Sequence, residues 1–372
     1  MKKNVSNLNP LTKKNLITLL MCVVIFAIVQ IWQASGSMGS LYQGLLVPIC
    51  IYIIMAVSLN LVVGYLGELS LGHAGFMCVG AYVSSMFSIM TQNTIGNSLL
   101  RFALAILIGG ICAAVFGIIV GIPVLRLRGD YLAIVTLAFG EIIKNIVNVL
   151  YVGVDNNGIH VSIENSANLN LDYANGGKMI LNGPQGITGT PRDSTFVIGF
   201  ILVMITLIVI MNFVNSRTGR AITAIRDNRI AAASVGINVT KYKLIAFALA
   251  AFFAGVAGAL YSHNTASLSA TTKNFGYMMS IMVLVYVVLG GMASIRGSVI
   301  ATIILYALPE VLRQFNDNIN NYRMLIYAII LIVMMIINNN DTIKDKLNIF
   351  KSKFKRKKYQ KKQRGLKSDG IA

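Results

Sequence analysis

The chain predicts an all-α polytopic membrane protein with about ten transmembrane helices, and three observations predict it. Its 372 residues are 56% apolar and only 12% charged, with a mean hydropathy of +0.70, whereas an ordinary soluble domain carries about a quarter charged residues. The apolar residues fall in continuous runs; a transmembrane β-barrel would alternate them, and in lipid only helices or closed barrels satisfy the backbone. The charges are segregated from those runs. The net charge of +19 resembles a nucleic-acid signal, but twelve of the 32 basic residues lie after Asp341 and most others sit in short loops between apolar runs.

Apolar runs long enough to span a bilayer, roughly 17–25 residues, occur near 16–32, 41–63, 69–90, 102–123, 131–151, 194–214, 243–262, 276–292, 297–312 and 324–338. With the N-terminus inside, the inside segments hold 25 Lys and Arg residues and the outside segments six. That bias places both ends on the cytoplasmic side. The chain then divides into a short cytoplasmic N-terminus (1–15), a single transmembrane domain (16–340) and a basic cytoplasmic tail (341–372). The tail reads as disordered and suited to anionic lipid headgroups. The first run is long, and Gln30-Ile31-Trp32-Gln33 lacks the small residues of a cleavage site, so it is expected to be a retained helix.

Along the chain, four segments carry polar chemistry. Gly64–Gly80, GYLGELSLGHAGFMCVG, holds five glycines, which weaken a helix and permit either close helix contact or a break. Glu68, Ser70 and His73 are its polar groups; broken helices offer such groups to substrates in transporters, while a solvated turn near the cytoplasmic face is the plainer reading. In Arg126–Leu150, Asp130 suits a helix N-cap, and Arg126 and Arg128 mark the inside end. Glu141 follows eleven residues later, roughly 16 Å along the axis, near mid-membrane. An ionisable group there is costly, and it serves either as an ion pair with Lys144 at i+3 or as a path-lining group. Thr136 and Ser280 are the other candidate polar lining residues. Val152–Asp193 is a long outer loop rich in Asn and Gly, with four acids and two basics; loops of this length are often functional, and this one suits a docking surface.

The most informative segment is Asn215–Lys243, NSRTGRAITAIRDNRIAAASVGINVTKYK, which carries six basic residues and one acid. Such positive charge marks the cytoplasmic side. Asn228 or Asp227 can cap a short helix over Arg229–Val235, Gly236 can end it, and Thr240 can cap the next run. Ile225, Ile230 and Val235 are expected as apolar anchors for a soluble partner, with Arg226 and Arg229 as polar ones. Further on, Gly290-Gly291 breaks an apolar run and Arg296-Gly297 is expected to form a tight turn.

Enzyme chemistry finds little support. No His/Asp/Glu cluster gathers at one membrane depth, and no GxxxxGK[ST] nucleotide loop occurs. The spacings of Cys22, Cys50, Cys78 and Cys112 match no metal motif, so the cysteines read as small buried residues.

Five motifs resemble one family in order: GELSLGHAGF at Gly67–Phe76, GDYLAIVTLAFGEI at Gly129–Ile142, NGPQGITG at Asn182–Gly189, the run Gly219–Tyr261, and VLGGMASIRGSVIAT at Val288–Thr302. The chain is similar to the permease subunits of bacterial ABC importers for branched-chain amino acids, in particular the larger of the two homologous permeases. The resemblance spans roughly residues 40–340. It implies the type II ABC importer permease architecture in the bacterial plasma membrane, with a second homologous permease, two cytoplasmic ATPase subunits that use the ATP, and an extracellular substrate-binding protein. No cofactor is implied on this chain. The family's coupling loop maps onto Arg226, Asp227, Asn228, Arg229, Ile230, Ala231, Ala232 and Gly236, with Arg229 departing from the smaller residue expected there. Related permeases import urea, short amides or other amino acids. A self-contained secondary transporter is the alternative of a different class, opposed by the scarcity of intramembrane ionisable groups.

Overall fold

The computed structural model describes residues 10–127, 129–155, 158–166, 169, 171, 177–265 and 267–312, with six further positions between 325 and 336. Two compact units divide the chain, Met1–Ala307 and Leu308–Ala372. The first holds the helical bundle, a small sheet and all the polar segments singled out above. Of the second, the end of one helix and the six helical positions are described.

The helices are α1 (Pro10–Ala34), α2 (Ser40–Asn60), α3 (His73–Met90), α4 (Ser98–Val124), α5 (Asp130–Val149), α6 (Phe196–Asn215), α7 (Arg217–Asp227), α8 (Arg229–Ser234), α9 (Val239–Ser262), α10 (Thr272–Phe275), α11 (Tyr277–Gly290) and α12 (Ile295–Leu312). A π-helical turn, Leu61–Leu66, extends α2. Among the described residues eight helices are long and apolar enough to cross a membrane, and Thr18–Ala34 of α1 is a shorter apolar helix. Nine of the ten expected runs thus coincide with helices. The tenth, near 324–338, lies mostly outside the described residues, as do the basic tail and Arg128.

Packing in the bundle centre rests on small residues. On Gly80 an added Cβ would lie 2.3 Å from the Gly255 Cα, on Gly258 2.0 Å from the Met77 carbonyl oxygen, and on Gly109 2.8 Å from the Gly80 carbonyl oxygen. The backbones of α3, α4 and α9 therefore touch. Between lipid-immersed helices there is no hydrophobic drive, so close van der Waals packing of this kind holds them together. A Gly255→Val substitution is expected to cost about 3 kcal/mol or more by overpacking. It should appear as loss of monodisperse protein in detergent; an undiminished yield would contradict this packing account.

The segment between α5 and α6 contains strands that its loop-like composition did not predict. β1 (Tyr151–Asp155), β2 (Gly158–Ser162), β3 (Lys178–Asn182), β4 (Ile187–Thr188) and β5 (Ser267–Leu268) form an antiparallel sheet in the order β2-β1-β3-β4-β5. The signal was short-range alternation: Val152 and Val154 pair with Val161 and Ile159. The NGPQG motif is the turn joining β3 to β4, where Gly183 and Gly186 take φ of +45° and +71°. At Gly186 a Cβ would sit 1.8 Å from the Leu268 carbonyl oxygen, so glycine is required there by both torsion and space.

Three local expectations are corrected. Gly129, at φ +61°, precedes α5, and Asp130 is its first helical residue rather than its cap. Asn238, not Thr240, caps α9, its side chain accepting from the Lys241 amide at 3.0 Å. Arg296-Gly297 lies inside α12, and the turn is Gly291–Ser294. There Gly291 and Ala293 take φ of +91° and +60°, and Ser294 Oγ accepts from the Gly297 amide at 3.2 Å. The bare Gly297 is needed because a Cβ would meet the Gly290 carbonyl oxygen at 1.7 Å.

Candidate functional site

The loop between α6 and α9 folds into two short helices set by their caps. Ser216 accepts from the Gly219 amide and starts α7. Asn228 accepts from the Ile230 and Ala231 amides, both at 3.0 Å, and starts α8. Gly236, at φ +84°, ends α8. Its amide donates to the Ala233 carbonyl at 3.0 Å and the Ile237 amide donates to the Ala232 carbonyl at 3.1 Å, the paired bonds of a Schellman motif. The loop is thus built from its own capping residues. Its inner face buries Ile222, Ile225 and Ala232. Ile225, expected as a partner anchor, is only 3% exposed and packs within the chain, because the 3.6-residue period turns it toward the bundle. Ile230 and Val235, at 80% and 75%, remain open. Ile230 on α8 and Val235 immediately after it thus leave apolar surface open outside the membrane spans.

Arg226 points back to the bundle. Its guanidinium donates to the Gly64 carbonyl at 3.1 Å and to Asp227 at 3.0–3.1 Å. Gly64 belongs to the π-helical turn; next comes Gly67 in the left-handed region at φ +77°, and the chain stays irregular until α3 begins at His73. The glycine-dense segment therefore does break the helix. Backbone groups freed inside a bilayer must find partners within the protein, and side chains of neighbouring helices supply two of them. Thr136 Oγ1 on α5 accepts from the Leu71 amide, and Ser280 Oγ on α11 accepts from the Ala74 amide, both at 3.0 Å. His73 Nε2 lies 2.8 Å from Ser58 Oγ. Ser70 is buried, and its Oγ has no hydrogen-bond partner. Glu68 is not a solvated turn residue: it forms an ion pair with Lys243 of α9.

Glu141 lies deeper, on α5. Lys144 donates to its carboxylate and, at 3.3 Å, to Thr272 Oγ1. The other carboxylate oxygen accepts from the Tyr277 amide at 2.8 Å, which opens α11. Gly276 makes room, since a Cβ there would sit 2.7 Å from the Glu141 carboxylate. The i+3 ion pair foreseen from spacing is present and shared with α10 and α11. Among the described residues no group of three His, Cys, Asp or Glu side chains is placed to hold a metal ion.

The structure thus gathers Glu68, Ser70, His73, Thr136 and Ser280 around the helix break and leaves Glu141 one locus away. Sequence reasoning missed Lys243, Asn60, Ala293 and Ser298. Asn60 accepts from the Ala293 amide at 3.0 Å and donates to Ser298 Oγ at 2.9 Å, fastening the end of α2 to the turn before α12. A buried Asn in an apolar run was the available signal.

Comparison with known proteins bears on this arrangement. The family described as branched-chain amino acid transport system / permease component matches residues 41–335. The high-affinity branched-chain amino acid transport system permease protein LivM of Escherichia coli (strain K12) is 35% identical over 84% of this chain and 72% of its own length. LivM of Salmonella typhimurium is 34% identical over 84% of this chain and 71% of its own. The permease protein LivH of the same Salmonella transport system is 24% identical over 68% of this chain and 79% of its own. No solved structure gives a significant match.

Proposed function

Because this chain belongs to the family of permease components of branched-chain amino acid transport systems, we propose that it is the larger membrane permease of an ATP-driven importer carrying leucine, isoleucine and valine into the cytoplasm. It is a multi-pass membrane protein. The plasma membrane is its proposed location, with both ends cytoplasmic, the orientation that the Lys/Arg bias supports. Its proposed partners are a second homologous permease, two cytoplasmic ATPase subunits and an extracellular substrate-binding protein. ATP is used by the ATPases, and this chain is assigned no cofactor.

The observation that carries this reading is the capped α7–α8 loop, which presents Ile230 and Val235 outward while Arg226 reaches the helix break. A docked ATPase pair that closes on ATP would move α8 by this patch and tilt the attached spans, switching the pore between inward- and outward-facing states. The candidate path residues Glu68, Ser70, His73, Thr136, Glu141 and Ser280 need supply only weak, transient polar contacts, because tight binding slows release.

The first test is a pull-down of the tagged chain in mild detergent with mass spectrometry, followed by uptake of labelled leucine in vesicles. Two ATPases and a similar permease are expected to copurify. A lone chain that moves solute without ATP would overturn the reading in favour of a secondary carrier; ATP-driven uptake of urea, a short amide or another amino acid would keep the importer and change its substrate.

The sheet supports the outer docking site. On its edge strand β2 and just beyond, Ile159, Val161 and Ile163 are 63%, 60% and 69% exposed on one face. The double substitution Ile159→Asp/Val161→Asp is expected to raise the KM for loaded binding protein about tenfold, the effect of losing a central apolar contact. An unchanged KM would place the docking surface elsewhere.

A further inference from the structure

We propose that the broken segment Leu61–Gly72 is the mechanical link between the cytoplasmic loop and the membrane bundle, held to the loop side by two polar ties: the Arg226 guanidinium on the Gly64 carbonyl, and the ion pair between Lys243 and Glu68. This rests on the importer reading above. It adds which residues carry the motion into the membrane.

The first tie joins α7 to the π-helical turn, at 3.1 Å. It is shaped to fit: a Cβ on Gly67 would lie 2.6 Å from the Arg226 Cγ, so the arginine stem lies across the bare glycine. The second tie joins the next residue to the first turns of α9, and is nearly dry, with side-chain exposures of 4% for Lys243 and 16% for Glu68. Both ties come from elements flanking α8, so a push on α8 reaches the segment at two successive points.

On its other side the same segment holds the bundle. Thr136 of α5 takes the Leu71 amide, and Ser280 of α11 takes the Ala74 amide just beyond it. Asn60, immediately before it, is bonded to Ala293 and Ser298. A Cβ on Gly64 would collide with the Ala293 amide nitrogen at 2.3 Å. The segment is therefore seated against α5, α11 and the start of α12 at once. Between these fixed points its own backbone is compliant. A π-helical turn is a weak helical form found at functional sites, and Gly67 carries a left-handed torsion. A compliant stretch clamped on both sides passes displacement on as a hinge does. A buried ion pair is poor evidence of stability, since its desolvation offsets its attraction, whereas fixing register is its best-attested role.

The test uses the whole complex in vesicles and measures labelled leucine taken up per ATP hydrolysed. The neutral double variant Glu68→Gln/Lys243→Met leaves no unpaired buried charge, so it folds where either single variant could fail. Its uptake per ATP is expected to fall about tenfold, within the usual range of coupling between sites. The swapped pair Glu68→Lys/Lys243→Glu is expected to restore that ratio to within about twofold, because it rebuilds the tie with reversed polarity. A neutral double variant with the wild-type ratio, in a complex that still contains its ATPases, would overturn the inference and leave the importer reading standing. A wild-type chain that brings down no ATPase would overturn both.

Discussion

Replacing Lys144 by methionine is expected to destabilise the membrane bundle by about 3–5 kcal/mol, the cost of leaving one member of a buried ion pair without its partner. Lys144 donates to Glu141 and to Thr272 Oγ1, and its side chain is 9% exposed against 23% for Glu141. Without it the Glu141 carboxylate keeps one backbone donor, the Tyr277 amide. The loss should appear as a marked drop in the thermal midpoint in detergent. The double variant Glu141→Gln/Lys144→Met should recover most of it, because a Gln carbonyl still accepts from Tyr277 and no bare charge remains. A Lys144→Met protein as stable as the wild type would refute the structural weight given to this pair. Uptake by the stable double variant then separates the two roles of Glu141: a folded complex that still transports leaves Glu141 structural, and a folded complex that does not places it on the path.

Ala232→Arg is expected to lower ATP-driven uptake by about 10–100-fold, the loss of most of the coupling between loop and membrane. Ala232 is buried on the inner face of α8, and its carbonyl closes the Schellman motif by accepting from the Ile237 amide. A long charged side chain there forces α8 off α7 and α9 and removes the register of Ile230 and Val235. Asp227→Arg acts on the same loop by replacing the acid beside Arg226 with a like charge. Uptake in reconstituted vesicles is the measurement, and unchanged transport by Ala232→Arg would remove α8 from the coupling path.

Much of this protein was legible from short-range pattern. The membrane spans follow from continuous apolar runs, and α8 follows from Asn228 and Gly236 acting within four residues of themselves. The helix break follows from glycine density. Where two capping types lay close together, local reading chose wrongly: Thr240 and Asn238 both suit an N-cap, and the side chain that reaches the Lys241 amide is that of Asn238. Ile225 was misassigned for a related reason. Apolar and near a docking loop, it is turned inward by helical phase, and only packing shows that the bundle occupies that side.

Composition, charge asymmetry and capping chemistry determined by themselves that the chain is a multi-span helical membrane protein with a folded basic loop, since each effect acts within a turn or a span. Tertiary structure alone decided that Lys243 meets Glu68 and that Arg226 meets Gly64, pairs separated by 175 and 162 positions. The same holds for the hydroxyls of Thr136 and Ser280, which satisfy the broken backbone before and within α3. Such pairings depend on which helices the small-residue contacts bring together. The dry bilayer then requires every freed amide and buried charge to find its partner across that contact rather than in water.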